Sequence, residues 1–359
     1  MGAAAATHRW RTDEFGAARR YVRRGVRTTA EEDRVTTTTT AQGDFAAGTE
    51  PYRRELLAHC YRMTGSLHDA EDLLQETLLR AWRAYGSYDP RRAGLRTWLY
   101  RIATNACLAA LEQRSRRPLP SGLGTPPGDD PEAPLVRGEE VPWLQPAPDA
   151  MFGDPAGVLF SRGSLRLAFI AAMQFLPARQ RAVLILREVL EWPAAEVAAA
   201  LGMTTAAVNS ALQRARATLG DAGLGEDQID EPADPGHRAR VERYVAAFES
   251  ADLGALEKLL ADDVVLEMPP FVNWFVGPER YVRFLARAFT LRGTDWRMEP
   301  ARANGQPALA AYTRAGDGGY DLHSLQVLTV TDAGITRSTS FQDPRVFAAF
   351  GLPARLTGR

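Results

Sequence analysis

The residues of this chain best suited to chemistry are ones that grip rather than cut. Thr205, Asn209, Gln213 and Arg216 recur at helical spacing, with Ser210 and Arg214 beside them. Hydroxyl, amide and guanidinium groups so placed can read base edges or hold phosphates. A second set, Arg101, Asn105, Arg114, Arg116 and Arg117, follows Trp98. Trp98 itself lies on an inward stripe and reads as core, with these cations and amide following it. A third set, Asp69, Glu71, Asp72, Gln75 and Glu76, is an acidic row. Near the C-terminus, Glu267, Tyr312, His323 and Asp343 offer a base and an oxyanion donor. Phe271, Trp274, Phe275, Trp296, Tyr312 and His323 offer a lining for an apolar ligand. Glu267 alternates with inward Leu266 and Met268, and a lone His323 at a strand start is commonly structural. The favoured reading is therefore a protein-contacting tail, with ligand sensing second and catalysis last.

The elements that must position these residues follow from periodicity. Leu56, Leu57, Cys60 and Tyr61 share one helical face; Ala70, Leu73, Leu74, Thr77, Leu78, Ala81 and Trp82 share a second. From about Gly94, Leu95, Trp98, Leu99, Ile102, Ala103, Ala106, Ala110 and Leu111 form a third stripe, so 51–117 predicts a small helical bundle. Pro193 to Leu212 has helix-turn-helix spacing: Pro193 opens a short helix, Ala198 permits a close crossing, Gly202 supplies the turn and Val208 anchors the second helix. Val208, Ala211, Leu212, Ala215 and Leu219 then face inward. From Arg238 a helix is followed by the alternation Val264, Leu266, Met268, a helix over 278–289, and hairpins at Asn304-Gly305 and Asp332-Ala-Gly334. Helices followed by a meander of strands predict α+β.

Composition sets the bounds. The 359 residues suggest two or three domains, and the two cysteines, Cys60 and Cys107, make no disulfide framework or zinc spacing. No apolar run approaches a membrane span and no signal-peptide core opens the chain, so a cytoplasmic protein without metal or cofactor is expected. The net charge of −1 hides local imbalance: 51–117 has 12 arginines against 7 acids, and 118–156 has seven acids, one arginine and 10 of the 23 prolines. The expected organisation is a disordered extension over 1–50, in which Arg19, Arg20, Arg23 and Arg24 could touch phosphate, and the bundle over 51–117. A mostly unfolded linker over 118–157, the helix-turn-helix unit over 158–220, an acidic linker over 221–237 and the α+β domain over 238–353 complete it. Val141-Pro-Trp143-Leu144-Gln145-Pro is too apolar for a spacer and is expected to dock on a domain surface.

Three runs carry a resemblance. They are Asp69-Ala-Glu71-Asp72-Leu-Leu-Gln75-Glu76-Thr-Leu-Leu-Arg80-Ala-Trp82, then Leu95-Arg-Thr97-Trp98-Leu-Tyr-Arg101-Ile-Ala-Thr-Asn105-Ala, then Leu176-Pro-Ala-Arg-Gln180-Arg-Ala-Val183-Leu. They resemble regions 2 and 4 of extracytoplasmic-function sigma factors of the sigma-70 family, over about 130 residues in order; Leu95 stands where the family usually has Phe. Arg238–Pro353 resembles the cone-shaped SnoaL-like, nuclear-transport-factor-like fold. The linker run with Trp143 and the Arg302-Ala-Asn304-Gly305-Gln306-Pro-Ala308 segment resemble the SigG-like subgroup. Asp317-Gly-Gly-Tyr320 matches another subgroup's motif only in part, and no role is carried over from it.

The resemblance implies core RNA polymerase and promoter DNA as partners. The acidic row would dock on the clamp helices of the largest subunit, with the flap region as a second contact. The third helix and its following loop would take the −10 element, and the helix-turn-helix the −35 element. A linker of about 40 residues at roughly 3.3 Å each can stretch beyond 100 Å, against about 58 Å for some 17 base pairs. Two rival readings remain at this stage: a stand-alone ligand-responsive helix-turn-helix regulator, and a cyclase- or isomerase-like enzyme in the tail.

Overall fold

The computed structural model describes residues 44–112, 115–152, 162–221 and 235–357. Residues 44–49 are helical, with the Thr49 hydroxyl donating to the Phe45 carbonyl at 2.9 Å, so the expected disordered extension ends in a helix. Arg19, Arg20, Arg23 and Arg24 lie outside the described residues.

Helices α1 (Arg53–Thr64), α2 (Leu67–Ala84) and α3 (Leu95–Leu111) form the first bundle. Leu56, Cys60, Tyr61, Ala70, Ala81, Leu99 and Ala103 meet in its interior. Helix α1 ends at Gly65, in the left-handed region at φ 66°. A Cβ there would stand 2.6 Å from Leu144 Cδ1, so this glycine both turns the chain and makes room for the linker.

Four further helices follow the linker: α4 (Leu167–Met173), α5 (Ala178–Leu184), which runs on through a π turn at Ile185–Val189, α6 (Ala194–Leu201) and α7 (Thr205–Asp221). They pack directly on the first bundle, α3 against α5 and α6, α1 against α4 and α5. Tyr100 meets Trp192 edge to face at 6.0 Å across that seam.

The C-terminal domain has α8 (Pro235–Glu249), α9 (Leu253–Glu257), β1 (Leu260–Glu267), β2 (Trp274–Val276) and α10 (Pro278–Arg292). After these come β3 (Trp296–Ala303), β4 (Gln306–Arg314), β5 (Tyr320–Thr331), β6 (Gly334–Phe341), α11 (Pro344–Ala349) and β7 (Arg355–Leu356). The sheet order is β2-β1-β6-β5-β4-β3, with β1 and β6 parallel and the other pairs antiparallel. Helices α8, α9 and α10 cover one face, where Tyr244, Phe248, Phe289, Trp296 and Leu328 are buried together. Asn304 and Gly305 take φ of 58° and 70° in the β3–β4 hairpin, the left-handed pair that a two-residue turn demands.

The linker departs from expectation. Instead of being mostly unfolded, its described part, 118–152, is laid along both neighbours. Arg137 bridges to Phe271 and Pro148 to Ala303. Leu144 and Ala147 are wholly buried. Proline and acid content marks a chain that makes no core of its own, but it does not forbid binding to a surface that supplies arginines and backbone partners.

Candidate nucleic-acid interface and the domain junction

The helix-turn-helix is built from its turn outward. Gly202, at φ 63°, closes α6 by donating its N–H to the Ala198 carbonyl, and Met203 N reaches the same oxygen at 2.9 Å. The Thr204 hydroxyl then accepts from Ala207 N at 3.1 Å and starts α7. Val208, Ala211, Leu212, Ala215 and Leu219 are buried. The opposite face leaves Thr205, Asn209, Ser210, Gln213, Arg214 and Arg216 exposed. Arg216 is held by Glu188 at 2.8 Å, which aims its guanidinium without burying it. One helix thus offers an uninterrupted polar, cationic face with no carboxylate among its six outward groups.

On α3, Arg101 and Asn105 are exposed one turn apart, while Trp98 is buried and packs against Tyr88 with ring centroids 4.9 Å apart and the rings tilted by 38°. Arg114 lies outside the described residues. The other two arginines are engaged. Arg116 sits 4.7 Å over the Phe175 ring and donates to the Gly122 carbonyl. Arg117 pairs with Asp69 at 2.8 Å and donates to the Trp143 carbonyl. In the acidic row, Asp72 and Gln75 are exposed, Glu76 pairs with Arg80 at 2.6 Å, and Glu71 lies 4.0 Å from His68. The structure therefore couples one residue of the acidic row, Asp69, to one of the −10 set, Arg117.

Sequence reasoning missed the junction where the three folded parts meet. Asn304, fully buried at the hairpin tip, donates from Nδ2 to the Tyr61 hydroxyl at 2.8 Å and the Leu165 carbonyl at 2.7 Å. Its Oδ1 accepts from Ala147 N at 2.9 Å. One side chain thus binds the first bundle, the linker and the start of the second helical unit. Gln306 Oε1 accepts from Leu167 N at 2.8 Å, and Asp149 takes both Gly305 N and Arg302. From the linker, Gln145 Oε1 accepts from Ser66 Oγ and Leu67 N, capping α2, while its carbonyl accepts from the Tyr61 hydroxyl at 2.8 Å. Burial pushes the Tyr61 hydroxyl's pKa up, keeping it a neutral donor.

Two buried arginines cross the same seam. Arg62 donates to Ser164 Oγ at 3.0 Å, and Arg181 donates to the Met63 carbonyl and to Gln174. Burial lowers each to about 10, still charged at neutral pH. Two signals pointed toward the junction: the polar Asn304-Gly-Gln306 tip on an otherwise apolar sheet, read as a turn and as part of a subgroup resemblance, and the apolar Val141–Pro146 run, expected to dock but without its partner named.

The tail's candidate residues do not gather. A cavity of about 160 Å³ under the sheet is lined by Phe271, Trp296 and His323, with Met268, Tyr281, Arg287 and others. Burial, and after it Arg292, lowers His323 to about 4, so its ring is neutral at neutral pH. Tyr312 is a correction: by the plain alternation of β4 it lies with Ala310 on the sheet face opposite Leu309 and Ala311, where it packs with Tyr320 and bonds the Pro353 carbonyl. Trp274 is opposite Glu267 and so shares its face, donating to the Thr125 carbonyl. Phe275 is in the core against Phe284 rather than on the cavity wall. Glu267 does face away from the cavity, yet it is fully buried, paired with Arg337 at 2.9 Å and accepting from Ser121 N of the linker. Asp343 caps α11 and pairs with Arg345, whose hydrogen bonds outweigh its partial burial and hold its carboxyl below the usual range. Among the described residues no group of His, Cys, Asp and Glu could hold a metal ion, and no helix is long and apolar enough to cross a membrane.

Comparison with known proteins agrees with this geometry. Residues 49–117 match the Sigma-70 region 2 family, 166–219 the Sigma-70 region 4 family, and 241–338 the SnoaL-like domain. The chain is 50% identical over 319 residues to the ECF RNA polymerase sigma factor SigG of Mycobacterium tuberculosis, covering 88% of this chain and 85% of that one. The same organism's SigJ is 28% identical over 320 residues, covering 85% and 94%. The crystal structure of SigJ superposes with a TM-score of 0.60 at 25% identity, over 86% of this chain and 100% of that one.

Proposed function

Because the chain belongs to the extracytoplasmic-function RNA polymerase sigma factors, we propose that its tail holds the two promoter-reading units shut until polymerase or a signal opens them. In this reading the chain binds core RNA polymerase through the exposed part of the acidic row. It places Arg101, Asn105 and the arginines after α3 on the −10 element, and the outward face of α7 on the −35 element. DNA opening then follows from binding and base capture, without covalent chemistry. The two elements lie about 58 Å apart for some 17 base pairs, so helical units that touch through Tyr100 and Trp192 must separate before both can be read.

The observation that carries this is Asn304, whose one amide group ties Tyr61, Ala147 and Leu165 together. The pairing of Arg117 with Asp69 adds to it, since a DNA-contacting cation and a polymerase-contacting acid neutralise one another in the closed form. We read the tail as binding rather than catalytic: Glu267, Tyr312 and Asp343 fall outside the cavity, and His323 is left there without a carboxylate partner. The cavity would then hold a small molecule.

The test is promoter-directed transcription with purified core polymerase, comparing the full chain with one ending near Gly220. Initiation by the shorter chain above that of the full chain supports a closing tail. Equal initiation by both removes the tail's proposed role, and failure of both to bind core polymerase removes the mechanism.

A further inference from the structure

The cavity in the C-terminal domain is stoppered by the chain itself. Leu135, from the linker, is part of its lining and packs on the domain's core. The backbone on either side of Leu135 is fixed to the cavity's rim. Arg287 Nη1 donates to the Pro131 carbonyl at 2.8 Å and the Ala133 carbonyl at 2.7 Å. Val136 N donates to Asn273 Oδ1 at 2.7 Å, Val272 N to the Val136 carbonyl at 2.9 Å, and Gly138 N to the Pro270 carbonyl at 2.8 Å. Further along α10, Arg280 pairs with Asp129, and Arg283 lies near Asp130 and Glu132, all largely exposed pairs that contribute little individually. The strap thus presents the cavity with an apolar branch and a pair of oxygens for a guanidinium, which is the outline of an amphiphilic ligand.

The walls say which ligand would displace it. The body of the cavity is apolar and aromatic: Phe248, Met268, Phe271, Phe284, Leu285 and Trp296. Its mouth carries Arg287 and Arg292, and no carboxylate lines it among the described residues. Deeper in, Gln342 lies 3.3 Å from His323, and Tyr281 and Tyr244 share a hydrogen bond at 2.8 Å, so the polar groups there are neutral. A cationic ligand would meet two guanidinium groups and no counter-charge. An anion meets the opposite arrangement, and a carboxylate on Arg287 offers a planar, oppositely charged, fork-matched partner where the two strap carbonyls are neutral acceptors.

We propose that this cavity is a sensor site for a small carboxylate with an apolar body of one ring or a short branched chain, which competes with Leu135 for the cavity and with the Pro131 and Ala133 carbonyls for Arg287. The inference rests on the reading of the tail as a ligand-binding, closing domain. Occupancy would lift residues 129–138 off α10 and slacken the linker between the two promoter-reading units. The same linker, a few residues on, caps α2 through Gln145 and meets Asn304 through Ala147, so the strap and the junction pull on one chain.

The experiment uses the full-length protein and a panel of benzoate, phenylacetate and 4-methylpentanoate, each beside its amide, with calorimetry for binding. Tryptic cleavage after Arg137, the only arginine between 118 and 156 in a stretch without lysine, reports strap release. At least one carboxylate is expected to bind at least ten-fold more tightly than its amide and to speed cleavage at Arg137 several-fold. Leu135→Ala should bind that carboxylate roughly ten-fold more tightly, the order expected when no leucine side chain must be expelled. Arg287→Gln should erase the preference for acid over amide. If no panel member binds wild type or Leu135→Ala, or if acid and amide bind alike, the inference is wrong. Transcription driven by the full and shortened chains is measured independently, so loss of the sensor site leaves the sigma-factor reading standing.

Discussion

Replacing Asn304 with glycine isolates the junction from the turn that carries it. Asn304 sits at φ 58°, which glycine adopts without strain, so the hairpin and the backbone bond from Asn304 N to the Ala147 carbonyl are retained. What goes is three side-chain hydrogen bonds: to the Tyr61 hydroxyl, to the Leu165 carbonyl and from Ala147 N. At about 0.5–1.5 kcal/mol net for each, the closed arrangement loses roughly 1.5–4.5 kcal/mol. Tyr61 keeps its bond to the Gln145 carbonyl, so no buried hydroxyl is stranded there. A mid-range loss of about 3 kcal/mol moves the closed-to-open ratio by roughly a hundred-fold, enough to populate an open form that wild type keeps rare. Small-angle scattering of the free protein is expected to show a larger radius of gyration, and transcription at a cognate promoter to rise. An unchanged radius together with a lowered melting temperature would mean that Asn304 supports the tail's own fold and nothing more, and the latch reasoning would be refuted.

Other consequences are as direct. Gln213→Ala should cost about 1–3 kcal/mol at one or two positions of the −35 element, whereas Arg214→Ala should weaken binding to all sequences and lower the salt slope by about 1, measured by titration against a duplex library. Gly202→Ala places a Cβ that meets nothing within 4 Å, so its cost is the left-handed backbone alone, about 1–2 kcal/mol, seen as a lower melting temperature. Burial, with Arg62 adding to it, lowers His59 from 6.5 to about 3. The unfolded chain therefore binds the extra proton first, and stability should be full above pH 6.5 and fall by up to about 1.4 kcal/mol per unit as pH drops from 6.5 toward 3. His59→Gln should flatten that slope in denaturant titrations.

The two helical units were legible because their signals are local. Val208, Ala211, Leu212, Ala215 and Leu219 repeat at helical period and Gly202 marks the left-handed turn, so the outward face followed from the inward one. The hairpin at Asn304-Gly305 was legible for the same reason. What was not legible depends on distant partners. The linker's ten prolines and seven acids say that it builds no core, yet Arg280, Arg283 and Arg287, some 150 residues on, supply what it binds. Tyr312 was misjudged because the inward face of β4 was not fixed from the sequence: Leu309 and Ala311 face the helices, and alternation leaves Ala310 and Tyr312 on the far face. Glu267 was on the expected face, but the linker and Arg337 bury it there.

The most direct test of the account is the distance between the two promoter-reading units, free and engaged. Spin or fluorescent labels at Arg54 and Ala217, both exposed and outside the proposed DNA contacts, report on the first bundle and on α7. The account predicts one short distance in the free protein, lengthening on binding core polymerase and promoter DNA as the units move toward the separation of about 58 Å between the elements. It also predicts a mixture of short and long distances in free Asn304→Gly. A distance that stays short while the complex initiates transcription would contradict the claim that the tail holds shut a pair of units that must open.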